Sequence, residues 1–324
     1  MWNKQIMIRN LLIVLILFSS SELYGYPITP QTLRMQIENS KYIVIAVIDN
    51  PETEEVKSKV FDKKTGDSVE VFKMSLFGDG IAELKILKVL KGKIENDSII
   101  VTYPSNMSNP RPPNYSHKKK VIAFLNDDDT TTNYVTVGLS YGTILFEQDD
   151  STQDFETLIS EYLPIAKIKN KKKKLRLTTA WLVKCCAERS TRWNGAYELN
   201  RKRHWASYYD RSVENEFFKY LTPEEKNALE KIVLDSDTIA YNELCLSDFV
   251  SPDKTEELKK ILIFNLKFFR IFFTEDLMKR YIELDDNVEL KLIYEAYLKV
   301  DLTDKKHEDE AIELNARFIE IAEN

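Results

Sequence analysis

The chain has 324 residues, of which 43% are hydrophobic and 30% charged, the composition of an ordinary globular protein. Its net charge at pH 7 is −6 and it has only three Cys, so a small scaffold held by several disulfide bonds is excluded. The three His are His117, His204 and His307. Because they lie far apart and lack ligand spacing, a His-based metal site or catalytic triad is not predicted.

The first 25 residues have the pattern of a cleavable secretion signal. Lys4 and Arg9 precede an apolar run over residues 11–18, and small and polar residues follow as far as Gly25. The run is shorter than the roughly 20 apolar residues that cross a bilayer, and no later segment is long enough either. No Cys lies near the end of the signal. We therefore expect a secreted or periplasmic protein that is not a lipoprotein, with a retained anchor as the alternative.

The first half of the remaining chain predicts a β domain with its core over residues 38–148. Short runs rich in β-branched residues recur between turn signals such as Lys64–Asp67, and this spacing indicates a sandwich or a small closed barrel. A helix is expected on each side, over residues 31–38 and 155–162. The predicted strands cover residues 42–48, 69–74, 81–90, 98–103, 120–125, 134–139 and 143–146.

The second half predicts an all-α domain over residues 176–324. Thr222 can cap a helix that begins at Pro223, and Glu225 can complete a capping box. Helices of this length joined by short turns indicate a bundle or stacked pairs. The predicted organisation is a signal over 1–25, a barrel domain over 26–148, a helix and Lys-rich linker over 149–175, and the helical domain.

The β half resembles a domain of secreted bacterial proteins that is related to the barrel of the netrin module and the tissue inhibitors of metalloproteinases. The resemblance implies an α+β protein with a small antiparallel OB-like barrel before the all-α domain. The inhibitors place an N-terminal Cys on the zinc of their target, and this half has no Cys, so that mechanism does not carry over. The residues that carry the resemblance are 42–49, AELKILKVLKG at 82–92, 99–102, KKKVIAFL at 118–125 and GTILF at 142–146.

The helical half, through TRWNGAYEL at 191–199, is similar to uncharacterised exported proteins of Bacteroidetes-like bacteria. That similarity implies the same exported setting and supplies no activity.

Charge is distributed unevenly. Residues 26–166 hold 15 basic and 21 acidic side chains. The basic segment, residues 167–211, holds 14 basic and 3 acidic side chains, and residues 212–324 hold 15 basic and 27 acidic ones. Three of the four Trp lie in the basic segment. Since Arg grips anions through two N–H groups and aromatic rings stack on flat ligands, the segment predicts an anion- or sugar-binding face. The candidate ligand-binding residues are Arg192, Trp193, Arg201, Lys202, Arg203 and Trp205.

The basic segment also has a structural interpretation. The run Lys171–Lys174 would then be a solvated linker, and the other basic residues would face the acidic C-terminal helices. Cys185 and Cys186 share a helix face with Trp181, which predicts packed core rather than a reactive thiol pair. Either a disulfide to Cys245 or three buried thiols is compatible with the sequence.

No motif for catalysis, a cofactor or a metal is present: there is no G-x-S-x-G, H-E-x-x-H, P-loop or dinucleotide fingerprint. The sequence therefore predicts neither catalytic residues nor a cofactor. The leading hypothesis is a non-enzymatic binding or interaction protein of the cell envelope. Export favours an anionic polysaccharide or an envelope protein as partner over nucleic acid. The alternatives are an inhibitor or modulator of an extracellular enzyme, and an enzyme whose site is assembled from scattered carboxylates.

Overall fold

The computed structural model divides the chain into two compact units, Met1–Thr152 and Gln153–Asn324. The predicted signal, the predicted turn Lys64–Asp67 and Trp205 lie outside the described residues. Within the described ranges, no helix is both long and apolar enough to cross a membrane. The structure describes residues 30–52, 58–61, 68–71, 79–105, 111–129, 131–203, 216–268, 273–302 and 304–324.

The first unit contains a short helix followed by strands at most of the predicted places. A separate two-stranded antiparallel sheet is formed by β2 and β3. The predicted strand over 134–139 is shorter, because Gly138 has a positive φ of 74° and a 3-10 turn follows over Leu139–Gly142. The elements are α1 Leu33–Asn39, β1 Tyr42–Glu52, β2 Ser58–Phe61, β3 Ser68–Val71, β4 Asp79–Lys91, β5 Ser98–Pro104, β6 Lys120–Asp127, β7 Tyr134–Thr136 and β8 Thr143–Phe146.

Five of these strands close into a barrel, as predicted. Their order is β1-β4-β5-β7-β6, the β1–β6 pairing closes the ring, and β8 pairs with the other edge of β6. The expectation of an antiparallel barrel is wrong for one pair, since β5 and β7 are parallel with Val101 opposite Tyr134. Five strands cannot alternate in direction around a closed ring, so one neighbouring pair must be parallel.

The barrel interior is apolar. Val44, Ala46 and Ile48 alternate along β1 and point into one core, and the intervening Ile43 and Ile45 are buried as well. Strands buried on both faces read as continuous apolar runs rather than as alternation, which explains the uninterrupted β-branched stretch of β1. The core is completed by Ala82, Leu84, Ile99, Val101, Tyr115, Val121, Ala123 and Leu125.

The described residues of the second unit form helices joined by turns, with no strand. The capping box at Thr222 is confirmed, with the Thr222 hydroxyl accepting from Glu225 N and the Glu225 carboxylate accepting from Thr222 N. The helices are α2 Gln153–Ala166, α3 Lys171–Ala187, α4 Arg192–Leu199, α5 Pro223–Leu234, α6 Tyr241–Leu246, α7 Thr255–Phe268, α8 Thr274–Leu284, α9 Val288–Tyr297 and α10 Glu308–Glu323.

Residues 149–175, predicted as a helix and Lys-rich linker, contain α2 and the start of α3. Asn170 caps α3, since its Oδ1 accepts from Lys173 N at 2.9 Å. The run Lys171–Lys174 is therefore the first turn of a 17-residue helix.

The predicted core face of α3 is confirmed. Cys185 and Cys186 are fully buried beside Trp181, whose Nε1 donates to Leu158 O at 2.8 Å. All three Cys are free thiols, and burial raises the pKa of each. Helix α4 packs so closely on α3 that a Cβ added at Gly195 would lie 2.5 Å from Cys186 Sγ. These thiols are packing residues, because they lack the exposure that reactive thiols need.

Candidate functional site

The structure does not gather the predicted ligand-binding residues on one face. Arg201 is 7% exposed, and its guanidinium lies 5.3 Å from the centre of the Tyr197 ring. Trp193 is half-buried and stacks on the same tyrosine with ring centres 5.6 Å apart. Lys202 is exposed. The candidates in the described part of the chain are thus divided between interior and surface.

Arg203 belongs to a largely buried ion network. Its Nη2 lies 2.5 Å from Asp248 Oδ1 and 2.6 Å from Glu283 Oε2. Arg280 pairs with the same two carboxylates at 3.3 and 3.1 Å, and Asn200 donates to Asp248 at 2.8 Å. Burial alone would raise the pKa of Asp248, but Arg203 and Asn200 outweigh burial and lower it. This network ties the turn after α4 to α8, so Arg203 is engaged within the fold.

Other basic residues of the segment are paired within the second unit in the same way. The pairs are Arg176–Glu225 at 2.8 Å, Lys184–Glu161 at 2.8 Å and Lys171–Glu216 at 3.6 Å. The Arg176–Glu225 pair agrees with the interpretation that basic residues face the acidic C-terminal helices. Lys184 instead pairs with a residue of α2, and Lys171 begins α3 rather than belonging to a linker.

Arg192 is fixed by the fold and also lines a pocket. A tight connection returns the chain to the end of α3, where Thr191 Oγ1 donates to Cys185 O at 3.0 Å. Arg192 Nε donates to Cys186 O at 2.9 Å, so a cation occupies the negative end of the α3 dipole. Its Nη1 lies 2.7 Å from Glu243 Oε1. Within the described residues, Nη2 has no hydrogen-bond acceptor.

Glu243 fixes the position of the Arg192 guanidinium. Its side chain is 8% exposed, and its second oxygen accepts from Ala240 N at 3.1 Å at the start of α6. A buried carboxylate with both oxygens occupied keeps its partner in one orientation. Glu243 was not predicted from the sequence, because a single Glu in the first turn of a short helix does not indicate which cation it will meet.

The Arg192 pocket lies between the last turns of α3 and α5 and has a volume of about 360 Å³. A pocket of that size accommodates a small molecule. Lys231 lies 4.0 Å from Asp235 and both side chains are mostly exposed, so this ion pair is weak and leaves the ammonium available. The apolar wall is formed by Val183, Ala187, Ala228 and Ile232, and the polar rim by Arg192, Lys231, Asp235 and Ser236.

A second pocket bears on the hypothesis of a carboxylate-based enzyme. It has a volume of about 320 Å³ and is lined by Asp154, Glu161 and Glu188 beside Lys184. Lys184 Nζ donates to both oxygens of Glu161 at 2.8 and 2.9 Å, and Ser190 donates to Asp154 at 3.3 Å. Two of the three carboxylates are thus engaged. No group of His, Cys, Asp and Glu suited to a metal ion occurs among the described residues.

Comparison with known proteins adds no functional assignment. No protein-family model matches this chain, and no curated protein or solved structure is significantly similar to it.

Proposed function

We propose that this chain is a non-enzymatic binding protein of the cell envelope whose helical unit binds a small organic anion in the Arg192 pocket. The observation that carries the proposal is the Arg192 guanidinium, which is held by Cys186 O and Glu243 and belongs to a residue that lines a concave surface.

The chemistry of the pocket favours a carboxylate with a short apolar body. Arg192 and Lys231 supply N–H donors for the acid group, and hydrogen bonds to charged groups contribute about 1.5–3 kcal/mol each. Ala187, Ala228 and Ile232 offer an apolar wall to the rest of the ligand. Because Arg192 is already held in place, little side-chain entropy is lost on binding.

The envelope setting and the barrel type are part of the same proposal. The setting rests on the secretion pattern of residues 1–25. The resemblance to the OB-like barrel of the netrin module is supported by the closed ring of five strands with β7 inserted between β5 and β6.

Binding is tested with benzoate, butyrate and inorganic phosphate, followed by ligand-observed NMR on the purified chain. We expect the two carboxylic acids to bind and phosphate, which lacks an apolar body, to bind more weakly. Ala228→Leu places a larger side chain in the pocket and should weaken the signal of the bound carboxylic acids. Asn227→Leu on the same exposed side of α5, outside the pocket lining, should bind as the wild type does.

A second variant tests the role of the guanidinium. Arg192→Lys keeps a cation beside Glu243 but removes the guanidinium, which can donate two parallel N–H bonds to a carboxylate. It should weaken benzoate binding at least 10-fold, which is equivalent to the loss of about one charged hydrogen bond. Equal binding by wild type and Ala228→Leu, or by wild type and Arg192→Lys, would remove the pocket as the binding site.

A further inference from the structure

The groove between α9 and α10 presents an apolar surface outside the Arg192 pocket. Val288 and Leu292 are 69% and 60% exposed, and with Ala296 they form a stripe at four-residue spacing along α9. Residues at that spacing lie on one face of a helix. Large aliphatic side chains exposed in a row mark an interaction surface more often than isolated ones do.

The second wall of the groove comes from α10. Leu314 lies opposite the α9 stripe, and the groove has a volume of about 470 Å³. Arg317 Nη2 lies 3.0 Å from Glu289 Oε1 across it. This ion pair joins the first turn of α9 to the middle of α10. The groove lies between these two helices.

The rim of the groove is acidic at one end. Glu310 and Glu313 are exposed one turn before Leu314 and Arg317, on the same side of α10, and Glu295 is exposed beside the α9 stripe. At the other end of the groove, Glu289 and Arg317 form an ion pair without net charge. Across residues 288–324 the chain has ten acidic and five basic side chains.

We propose that this groove docks a basic amphipathic helix of a partner protein. Aliphatic residues at i, i+4 and i+8 of that helix would pack on Val288, Leu292 and Leu314, in the manner of helix-in-groove recognition. Its Lys or Arg side chains would meet Glu310 and Glu313. The net negative rim disfavours an acidic partner and a second copy of the same surface, since like charges would face each other.

Fluorescence anisotropy with the full chain tests the proposal. The probe is a labelled four-turn model helix with Leu on one face and Lys on the other, compared with the same peptide carrying Glu in place of Lys. We expect only the Lys peptide to bind. Leu292→Gln should weaken binding of the Lys peptide at least 10-fold. Glu310→Lys/Glu313→Lys should also weaken it, and the loss should be larger at low salt than at high salt.

The matched control is Leu298→Gln, which changes a leucine that is 48% exposed but lies outside the groove lining. It should bind the Lys peptide as the wild type does. Equal binding by Leu292→Gln and wild type, or equal binding of the Lys and Glu peptides, would overturn the proposal. So would a dimer in sedimentation analysis that Leu292→Gln dissociates, because a second copy would then occupy the groove.

Discussion

The barrel and the helical unit bury different kinds of side chain. The barrel core is aliphatic apart from Tyr115, whose hydroxyl lies 2.6 Å from Thr136 Oγ1. The helical unit also has an apolar core, but in addition it encloses Arg201, Arg203 and Arg280 with their partners. Apolar burial stabilises without regard to direction, whereas a buried ion needs a partner at a fixed place. A strongly basic stretch of sequence can therefore form interior structure rather than a binding face.

The largest effect is expected from Asp248→Ala. This change leaves Arg203 and Arg280 largely buried with one carboxylate between them, and removing one partner of a buried ion pair costs about 3–5 kcal/mol. Urea unfolding followed by Trp fluorescence reports on the helical unit, because Trp181 and Trp193 lie there and residues 30–152 contain no Trp.

The control for that measurement is Asp235→Ala, since the Asp235 side chain is 65% exposed. Its unfolding free energy should stay within about 0.5 kcal/mol of the wild type. If Asp248→Ala were equally mild, the buried ion network would not distinguish the two units.

A pH series sharpens the comparison. The pKa of Asp248 is lowered in the folded state, so its contribution is present above the unfolded pKa and is lost as pH falls through the folded value. The difference in unfolding free energy between wild type and Asp248→Asn should have its largest value above about pH 5 and should decrease below about pH 4.

Leu84→Ala in the barrel is the reference for that series. Leu84 is fully buried, so its truncation should cost about 2–5 kcal/mol, and this cost should not depend on pH because no ionisable group is involved. Hydrogen–deuterium exchange of peptides from the barrel strands follows the barrel during urea unfolding, because the far-UV circular dichroism of this chain is dominated by its helices. An Asp248→Asn difference that stayed as constant as that of Leu84→Ala would contradict the assignment of the network as ionic.

The smallest effect is expected from Lys202→Ala. Lys202 is exposed between the buried Arg201 and the paired Arg203, so its removal should change the unfolding free energy by less than about 0.5 kcal/mol. Salt-sensitive retention on an immobilised polyanion should also stay close to that of the wild type. A large loss of retention would show that residues around Lys202 form an exposed anion-binding face after all.

Much of the fold was predictable because its signals are local. The capping box joins Thr222 to Glu225, and the core face of α3 joins Trp181 to Cys185 and Cys186. The number and spacing of strands predicted either a sandwich or a small closed barrel, and the resemblance to the netrin-type barrel favoured the closed ring. The parallel pair β5–β7 was not, because the direction of a strand's neighbour depends on which strands meet when the ring closes.

The candidate site was predictable only as a segment. The sequence determined that residues 167–211 are basic and rich in Trp, because composition is a property of the chain itself. Tertiary structure decided what each cation does: Arg203 meets Glu283, 80 residues away, and Arg192 meets Glu243, 51 residues away. Packing of helices distant in sequence brings such partners together, and no local pattern specifies which acidic residue each cation meets.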